Sequence, residues 1–283
     1  MNLIIGKRSN LSQKLSQQIA NCILISSDSI DIELSDIINK VREPINLIFN
    51  NFQNSILLGE HSRLDKYIEN SIAVTSKILT MLSEGNVSVL KIIYTSSSSV
   101  YGNNKFCSET DHPMPTSLQA SLKVANEELI KRFCSAYNIK YTITRIFNMY
   151  GGNDHFSVIS KIKNSYFNHE ALEIINNGTG IRDYVYIDDV VEIYNIILSL
   201  NEAPKILNIA SGNGRRVVDF LNILDRNKIR IKTTNKEKDE IKASIADVSL
   251  LSKFKNIQDF VNVEDYLLKE LKISKTKPMV FNE

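Results

Sequence analysis

Residues 89–102 read VLKIIYTSSSSVYG, and this stretch decides how the rest of the chain is interpreted. Its first part, Val89–Tyr94, is a mainly apolar run with the length of a buried strand, and the serine cluster Ser96–Ser99 follows directly. A long helical pattern over Leu118–Tyr137 and a further apolar run over Tyr141–Phe147 come next. Strand, helix and strand in this order predict a βαβ unit with two parallel strands.

The same alternation extends back to the start of the chain. Apolar runs predict strands at Asn2–Ile5, Cys22–Ile25 and Ile45–Phe49, and helical spacing predicts helices around Leu11–Ile19, Asp36–Val41 and Ile68–Leu82. We therefore expect an α/β fold with a Rossmann-like, doubly wound parallel sheet. Such sheets bind ligands at the carboxyl ends of their strands, so we expect one crevice fed by the loops after Ile5, Phe49, Tyr94 and Phe147.

The pattern changes after Tyr150. Turn-rich residues at 151–153 and 176–180 are accompanied by helical patterns at Ser157–Phe167, Asp188–Ser199 and Val217–Arg226. No repeat or low-complexity linker separates the two halves. The sequence predicts one lobe over residues 1–150, with a return segment at about 182–212, and a smaller C-terminal lobe mainly over residues 151–283.

Composition argues against several classes of protein. The 283 residues carry 34 Lys+Arg against 32 Asp+Glu, a formal net charge of +2, so no basic field favours nucleic acid as a partner. No apolar run approaches the ~20 residues that span a bilayer, and the first residues lack a signal-peptide pattern. The 3 cysteines and 4 histidines are scattered, which argues against a disulfide framework or a metal site and favours a reducing cytoplasm.

The loop after the first strand, Gly6–Ser12, opens the first predicted helix. A dinucleotide-binding loop needs small residues there, because backbone N–H groups and the helix N-terminus must approach a diphosphate. Gly6 is present, whereas Ser9 and Ser12 stand where the second and third glycines of the usual pattern are expected. A serine hydroxyl can still hydrogen-bond phosphate, but the loop by itself is equally compatible with an ordinary strand-to-helix turn.

Four more segments, taken with the serine cluster, carry a family resemblance. They are PTSLQASLKVANE at 115–127, RIFNMYG at 145–151, GTGIRDYVYIDDV at 178–190 and LNIASG at 207–212. The chain resembles the extended short-chain dehydrogenase/reductases that act as nucleotide-sugar epimerases, dehydratases and reductases, over roughly residues 6–247. The resemblance implies that the first lobe binds a dinucleotide and that the second binds a nucleotide-sugar substrate.

A Ser or Thr, a Tyr and a Lys act together in that family, and the resemblance places two of them at Ser97 and Lys123. The Tyr exchanges a proton with the sugar and stands four residues before the Lys, where this chain has Gln119. An amide does not titrate near neutral pH, and losing a positioned acid–base group costs about 10²–10⁴-fold in rate. Tyr101 is the nearest candidate replacement, although the family commonly uses a tyrosine there for packing; a bound water or a substrate group is another.

Structural interpretations of two of these residues stay open. Ser97 is also compatible with a serine-rich strand end that bonds its own backbone, and Lys123 with an exposed helix lysine. The residues after Ser97 narrow the reaction further. The 4,6-dehydratases of the family place an Asp–Glu pair there, whereas this chain has Ser98 and Ser99. The resemblance therefore favours an epimerase or reductase, with Ser98 as a substrate contact.

Signals for the cofactor are mixed. Arg8 matches an arginine that meets the 2′-phosphate of NADP in one branch of the family, and a guanidinium suits a phosphate. Asp28 follows the second strand and would instead favour the ribose diol of NAD, or be a solvated turn residue. The resemblance favours NADP, with NAD as the alternative. Asp31 is expected near the adenine, and Asn10 and Leu11 complete the predicted cofactor contacts of the first loop with Gly6 and Ser9.

The end of the third strand departs from the family. Small residues are usual where the chain passes the cofactor, whereas this chain has Asn50 and Asn51. Bulkier side chains crowd the cofactor or add hydrogen bonds to it, and we include Asn50 among the predicted contacts. With the missing glycines and Gln119, this makes three departures along one groove.

The substrate side matches the family better. Asn148 corresponds to an asparagine near the nucleotide-sugar diphosphate, and Arg182 to an arginine that holds it. A salt bridge from Arg182 to Asp183 is the structural alternative. Tyr184 is expected to pack in the lobe rather than to act in chemistry.

The sequence as a whole predicts a cytoplasmic NAD(P)-dependent oxidoreductase or epimerase that acts on a nucleotide-activated sugar in surface-carbohydrate biosynthesis, with altered acid–base chemistry. The alternative is a redox-inactive homologue that binds a nucleotide sugar as a scaffold or regulatory subunit, and a third interpretation is a sensor of NADP(H) without a sugar substrate. By resemblance we expect a homodimer, with neither nucleic acid nor membrane as a partner.

Overall fold

A computed structural model describes residues 1–51 and 64–273. The strands are β1 Asn2–Ile5, β2 Cys22–Ile25, β3 Ile45–Phe49, β4 Val89–Ser97, β5 Phe106–Cys107, β6 Lys140–Ile146, β7 Asn148–Tyr150, β8 Leu172–Ile175, β9 Ile181–Tyr186, β10 Ile206–Ile209, β11 Gly214–Arg216, β12 Thr233–Lys236 and β13 Ala243–Ala246. The α-helices are α1 Asn10–Gln18, α2 Ile30–Lys40, α3 Leu64–Ile68, α4 Val74–Glu84, α5 Leu118–Tyr137, α6 Val158–Asn168, α7 Ile187–Ser199, α8 Val217–Arg226 and α9 Val263–Ile273.

The first of two compact units combines Met1–Gly102, Glu109–Ile146 and Val190–Ile209. Over its described residues it forms a parallel sheet of six strands in the order β10-β6-β4-β3-β1-β2. This confirms the predicted doubly wound α/β fold. The strand order reverses between β1 and β3, and open parallel sheets bind ligands at such a point, beyond the carboxyl ends of the strands.

The core of this unit explains why the apolar runs become strands. Leu3, Ile5 and Phe49 are fully buried in one cluster. Ile4 and Ile48, whose side chains point to the opposite face of the sheet, are fully buried as well. Each such side chain contributes about 1.5–3 kcal/mol by leaving water. Both faces are buried, so the strands read as continuous apolar runs rather than alternating ones.

Element boundaries differ from the sequence predictions in three places. Helix α2 begins at Ile30 rather than Asp36, and Glu33 in its first turn accepts from the Ser26 N–H at 3.4 Å. The helix predicted over Ile68–Leu82 contains a π-helical segment at Glu69–Ala73. Strand β4 continues through Ser97, so the first serines belong to the sheet.

The second unit combines Asn103–Ser108, Phe147–Asp189 and the residues from Ala210 onward. Its sheet runs β11-β9-β13-β5 with β7 beside β9, and β8 pairs with β12. Aromatic and aliphatic side chains including Tyr150, Tyr184 and Phe220 form its core. Residues 103–108 and 182–189 belong to this second unit. Within the part of the chain that is described, no helix is both long and apolar enough to cross a bilayer.

Candidate functional site

The loop after β1 meets the end of β3 at the reversal of strand order. Gly6 has φ +106°, and a Cβ placed there would lie 2.4 Å from the Asn50 carbonyl oxygen. Only glycine therefore fits this turn. The Asn50 N–H also donates to the Ile5 carbonyl at 2.9 Å, which holds the two strand ends together.

Two of the three predicted departures from the family, the missing glycines and Asn50, form one connected group. The Asn50 Nδ2 donates to Ser9 Oγ at 3.1 Å and to Ser12 Oγ at 2.9 Å. Ser9 is also the N-cap of α1, where its Oγ accepts from the Ser12 N–H at 3.5 Å. Asn50 is 1% exposed and Ser12 is fully buried. We call Ser9, Ser12 and Asn50 the amide–serine cluster. The sequence pattern does not connect Asn50 to the two serines, because these contacts cross from one loop to another.

The other predicted contacts of this loop have different surroundings. Asn10 is the first residue of α1, and Leu11 is fully buried in the core, so only its backbone can face a ligand. Arg8 is 78% exposed and pairs with Asp28, which is 56% exposed, at 2.7 Å from Nη2 to Oδ2. The two opposing signals for cofactor type thus lie in one ion pair. Asp31 pairs with Lys77 of α4 at 2.5 Å.

These residues fit the diphosphate of a dinucleotide. The Gly6 turn has no room for a side chain, the N-terminus of α1 carries a capping hydroxyl, and the cluster contains no carboxylate that would repel an anion. The buried Asn50 Oδ1 has no hydrogen-bond partner among the described residues. The serine-for-glycine replacements are therefore compatible with an anion at this loop.

The serine cluster at the end of β4 divides into separate roles. Ser96 points into the unit and donates to Glu127 Oε1 at 2.5 Å. Ser97 is half-buried, and its Oγ accepts from the Ser99 N–H at 3.2 Å, which leaves its own proton available to another acceptor. Ser98 is also half-buried and starts the short 3₁₀ turn Ser98–Tyr101.

Lys123 and Gln119 lie one turn apart on α5, which Ser117 caps by accepting from the Ala120 N–H. Lys123 is buried rather than solvated, and its Nζ donates to the Thr95 carbonyl at 2.8 Å. Burial lowers the pKa of Lys123 to about 8, and the Glu127 carboxylate partly opposes this shift. Gln119 is half-buried in the first turn of the helix. The ammonium therefore lies directly behind the strand end that carries the serines.

Tyr101 is tied into the interior. Its hydroxyl donates to Asn208 Oδ1 at 2.7 Å, and the Arg145 guanidinium lies 4.7 Å from the centre of its ring. Burial raises the pKa of Tyr101 above its ordinary value, although Arg145 opposes the shift. A phenol in this position favours packing over proton exchange.

Sequence reasoning missed a buried ion pair beneath these residues. Arg145 donates to Glu127 through Nε at 3.2 Å and Nη2 at 2.8 Å, and both side chains are 1% exposed. The pair joins α5 to β6, and through Ser96 to β4. A signal was present, since Glu127 lies one turn after Lys123 and Arg145 is the one charged residue in the apolar run Tyr141–Phe147.

In the second unit the predicted substrate residues surround Asp183. Asn148 Nδ2 donates to the Asp183 carbonyl at 2.9 Å. Arg182 forms a salt bridge with Glu240, at 2.8 Å from Nη2 to Oε2, and not with Asp183, which the sequence offered as its partner. The Asp183 carboxylate is fully buried and accepts from Ser211 and from three backbone N–H groups, which anchors the loop after β10.

A separate cavity of about 170 Å³ lies within the second unit. Its lining includes Tyr184, Ser211, Asn213, Arg215 and Phe260. Tyr184 packs edge-on against Phe220 at 5.2 Å between ring centres, in agreement with the packing role expected for it. Neither Asn148 nor Arg182 lines this cavity.

Comparison with known proteins gives the family. The model of the NAD dependent epimerase/dehydratase family matches residues 7–210, and the chain belongs to this family of enzymes. Protein CapI of Staphylococcus aureus is 28% identical over 182 residues, which cover 56% of this chain and 54% of that protein. UDP-glucuronate 4-epimerase of Thermodesulfobacterium geofontis is 26% identical over 218 residues, which cover 74% and 66%. The chain spans about half to two thirds of the length of these relatives.

Solved structures agree on the fold. The structure of MoeE5 in complex with UDP-glucuronic acid and NAD superposes with a TM-score of 0.81 at 19% identity, covering 97% of this chain and 98% of that one. The similarity in fold therefore covers more of the chain than the residues that the family model matches.

Proposed function

We propose that the protein is an NAD(P)-dependent epimerase or reductase of a nucleotide-activated sugar. The observation that carries the proposal is the buried Lys123, held to the Thr95 carbonyl behind the half-buried Ser97. The relative named UDP-glucuronate 4-epimerase and the family membership support the substrate class. Ser98 and Ser99 in place of carboxylates argue against 4,6-dehydration.

Each residue has a role that follows from its contacts. A bound dinucleotide would supply the hydride acceptor or donor. Ser97 keeps its proton available and would donate it to the reacting sugar oxygen, because its Oγ already accepts from the Ser99 N–H. Lys123 would place a donor beside the cofactor ribose, and its lowered pKa lets it lose a proton at mildly alkaline pH. Gln119 would orient the sugar by hydrogen bonds only.

Proton exchange with the sugar then needs a group other than Gln119. The Tyr101 hydroxyl is committed to Asn208 and its pKa is raised, which disfavours it as the replacement. We assign the proton transfer to a bound water or to a hydroxyl of the substrate. The reaction is therefore expected to be slower than in relatives that have the tyrosine, by up to the ~10²–10⁴-fold that positioned acid–base catalysis supplies.

The cofactor proposal is NADP, with NAD as the alternative. Arg8 supports NADP because its exposed guanidinium needs only to leave Asp28 to meet a 2′-phosphate. In the second unit, Asn148 and Arg182 are proposed to hold the diphosphate of the sugar nucleotide. Arg182 would exchange its contact with Glu240 for the phosphate.

Cofactor and substrate titrations test this function. Purified protein is titrated with NADPH, NADH and their oxidised forms by nicotinamide fluorescence, and then incubated with UDP-hexoses and UDP-4-keto sugars. Hydride transfer, measured as a change in nicotinamide absorbance, or conversion between epimers, measured by NMR, supports the proposal. Failure to bind either dinucleotide would refute it.

A second function has one specific observation in its favour. Gln119 stands at the acid–base position and Tyr101 is held inside the unit, so the protein would bind a nucleotide sugar without turnover as a scaffold or regulatory subunit. Affinity for the sugar nucleotide without hydride transfer would select this alternative. The homodimer, the cytoplasmic location and the biosynthetic role are proposals from family resemblance, and sedimentation of the purified protein tests the first of them.

A further inference from the structure

Asn50 stands where small residues are usual in the family, and its side chain is buried rather than exposed to the loop's surface. It follows β3 at the reversal of strand order, is 1% exposed, and reaches across to the first turn of α1. Its Nδ2 makes two hydrogen bonds, whereas its Oδ1 has none with the residues that the structure describes. A buried amide with one unsatisfied atom costs free energy, so its presence at this position calls for an explanation.

The explanation follows from what Asn50 does to Ser9. A hydroxyl oxygen has two lone pairs, and those of Ser9 accept from Asn50 Nδ2 at 3.1 Å and from the Ser12 N–H at 3.5 Å. The proton of Ser9 therefore points out of the amide–serine cluster. Ser9 is half-buried and caps a nine-residue helix, so its hydroxyl becomes one more donor at a terminus that already favours anions.

We propose that Asn50 is a positioning residue that holds the Ser9 hydroxyl as a hydrogen-bond donor to the diphosphate of the dinucleotide. The inference rests on the proposed function, because it assumes that a dinucleotide binds at this loop. Glycine offers only its backbone N–H at this point, whereas a serine adds a donor but also rotamers that turn the donor away. Asn50 removes that freedom, so Ser9 and Asn50 form a matched pair.

A double-mutant cycle tests the pairing. The variants Ser9→Ala, Asn50→Ala and their combination are titrated with NADPH, NADH and ADP-ribose, which carries the diphosphate without the nicotinamide. We expect Ser9→Ala alone to weaken binding of all three by about tenfold to a hundredfold, the loss of one hydrogen bond to a charged group. In the Asn50→Ala background, Ser9→Ala is expected to weaken binding less than about threefold, because without Asn50 the Ser9 hydroxyl no longer points at the diphosphate.

Two further variants separate positioning from stability. Ser16→Ala is the matched control on the same helix, since the Ser16 hydroxyl donates to the Gln13 carbonyl of its own helix, and it is expected to leave affinity unchanged. Asn50→Asp keeps the cluster folded, because both serine hydroxyls can donate to its carboxylate, but it turns the Ser9 proton inward. Ser9→Ala is therefore expected to leave the affinity of the Asn50→Asp variant unchanged. This background replaces Asn50→Ala in the cycle if Asn50→Ala does not fold.

The outcomes distinguish the two proposals. If the wild-type protein binds a dinucleotide and Ser9→Ala lowers the affinity equally in every background, the role of Asn50 is overturned. The proposed function would remain intact. A wild-type protein that binds neither dinucleotide would overturn both. A fall in melting temperature without coupling in the dissociation constants would show a merely structural cluster.

Discussion

Replacing Glu127 by Gln should destabilise the first unit strongly although it changes hardly any volume. Arg145 is 1% exposed, and its Nε and Nη2 both donate to Glu127, while its Nη1 has no partner among the described residues. The neutral amide of the Glu127→Gln variant would leave a buried guanidinium without a counter-charge. Breaking a buried pair in this way typically costs about 3–5 kcal/mol of the free energy of unfolding.

Urea denaturation followed by far-UV circular dichroism measures the loss, since the chain has no tryptophan to report by fluorescence. Glu128→Gln is the matched control, because Glu128 is the next residue and pairs with Arg132 on the exposed face of the same helix. That change is expected to stay within about 1 kcal/mol of the wild type.

The combined variant Glu127→Gln/Arg145→Met removes both charges. It is expected to recover at least about 1 kcal/mol relative to Glu127→Gln alone, because the uncompensated cation is gone. A loss in the combined variant equal to the sum of the losses in Glu127→Gln and in Arg145→Met, each measured alone, would refute the reasoning, since the two groups would then act independently. So would a loss at Glu127 no larger than at Glu128.

Three further changes test the site. Gln119→Tyr restores an ionisable group one turn from Lys123 and should raise the rate of hydride transfer by about 10²–10⁴-fold in single-turnover absorbance measurements; an unchanged rate would show that another group already performs the proton transfer. Burial lowers the pKa of folded Lys123 to about 8, whereas an unfolded lysine has a pKa of about 10.4. The free energy of unfolding should therefore rise between about pH 8 and 10. Lys123→Met should remove this slope in urea titrations. Asp28→Asn frees Arg8 and should raise the ratio of NADPH to NADH affinity about tenfold by fluorescence titration, whereas Arg8→Ala should lower it; a ratio that neither change moves would place the 2′-phosphate elsewhere.

Local patterns were sufficient for much of the fold. Runs such as Cys22–Ile25 and Ile45–Phe49 are continuous apolar segments between polar turns, and their bounds agree with the structure. The two-residue strand Phe106–Cys107 could not be found this way, because its stability comes from pairing with β13 rather than from its own residues. The π-helical segment at Glu69–Ala73 likewise leaves no mark in the apolar spacing.

The candidate site divides in the same way. Motif positions were enough to name Ser97, Lys123 and Gln119 as candidates, since these depend on spacing along one strand and one helix. The hydrogen bonds of Asn50 to Ser9 cross from one loop to another, so the sequence showed two unrelated departures where the structure has one joined group. The partner of Arg182 is Glu240, and charge in the neighbouring residue, Asp183, was a misleading guide.

The path of the chain through its two units has a consequence for synthesis on the ribosome. Residues Asn103–Ser108 belong to the second unit, where they form β5. This strand pairs with β13 at Ala243–Ala246, so it has no partner until that later segment has been synthesised. The first sheet in turn lacks its edge strand until Ile206–Ile209 has emerged. A nascent chain of intermediate length thus carries unpaired strand edges in both units, which are adhesive surfaces. A chaperone that covers these edges during synthesis should therefore raise the soluble yield, whereas slower translation should lower it by prolonging their exposure.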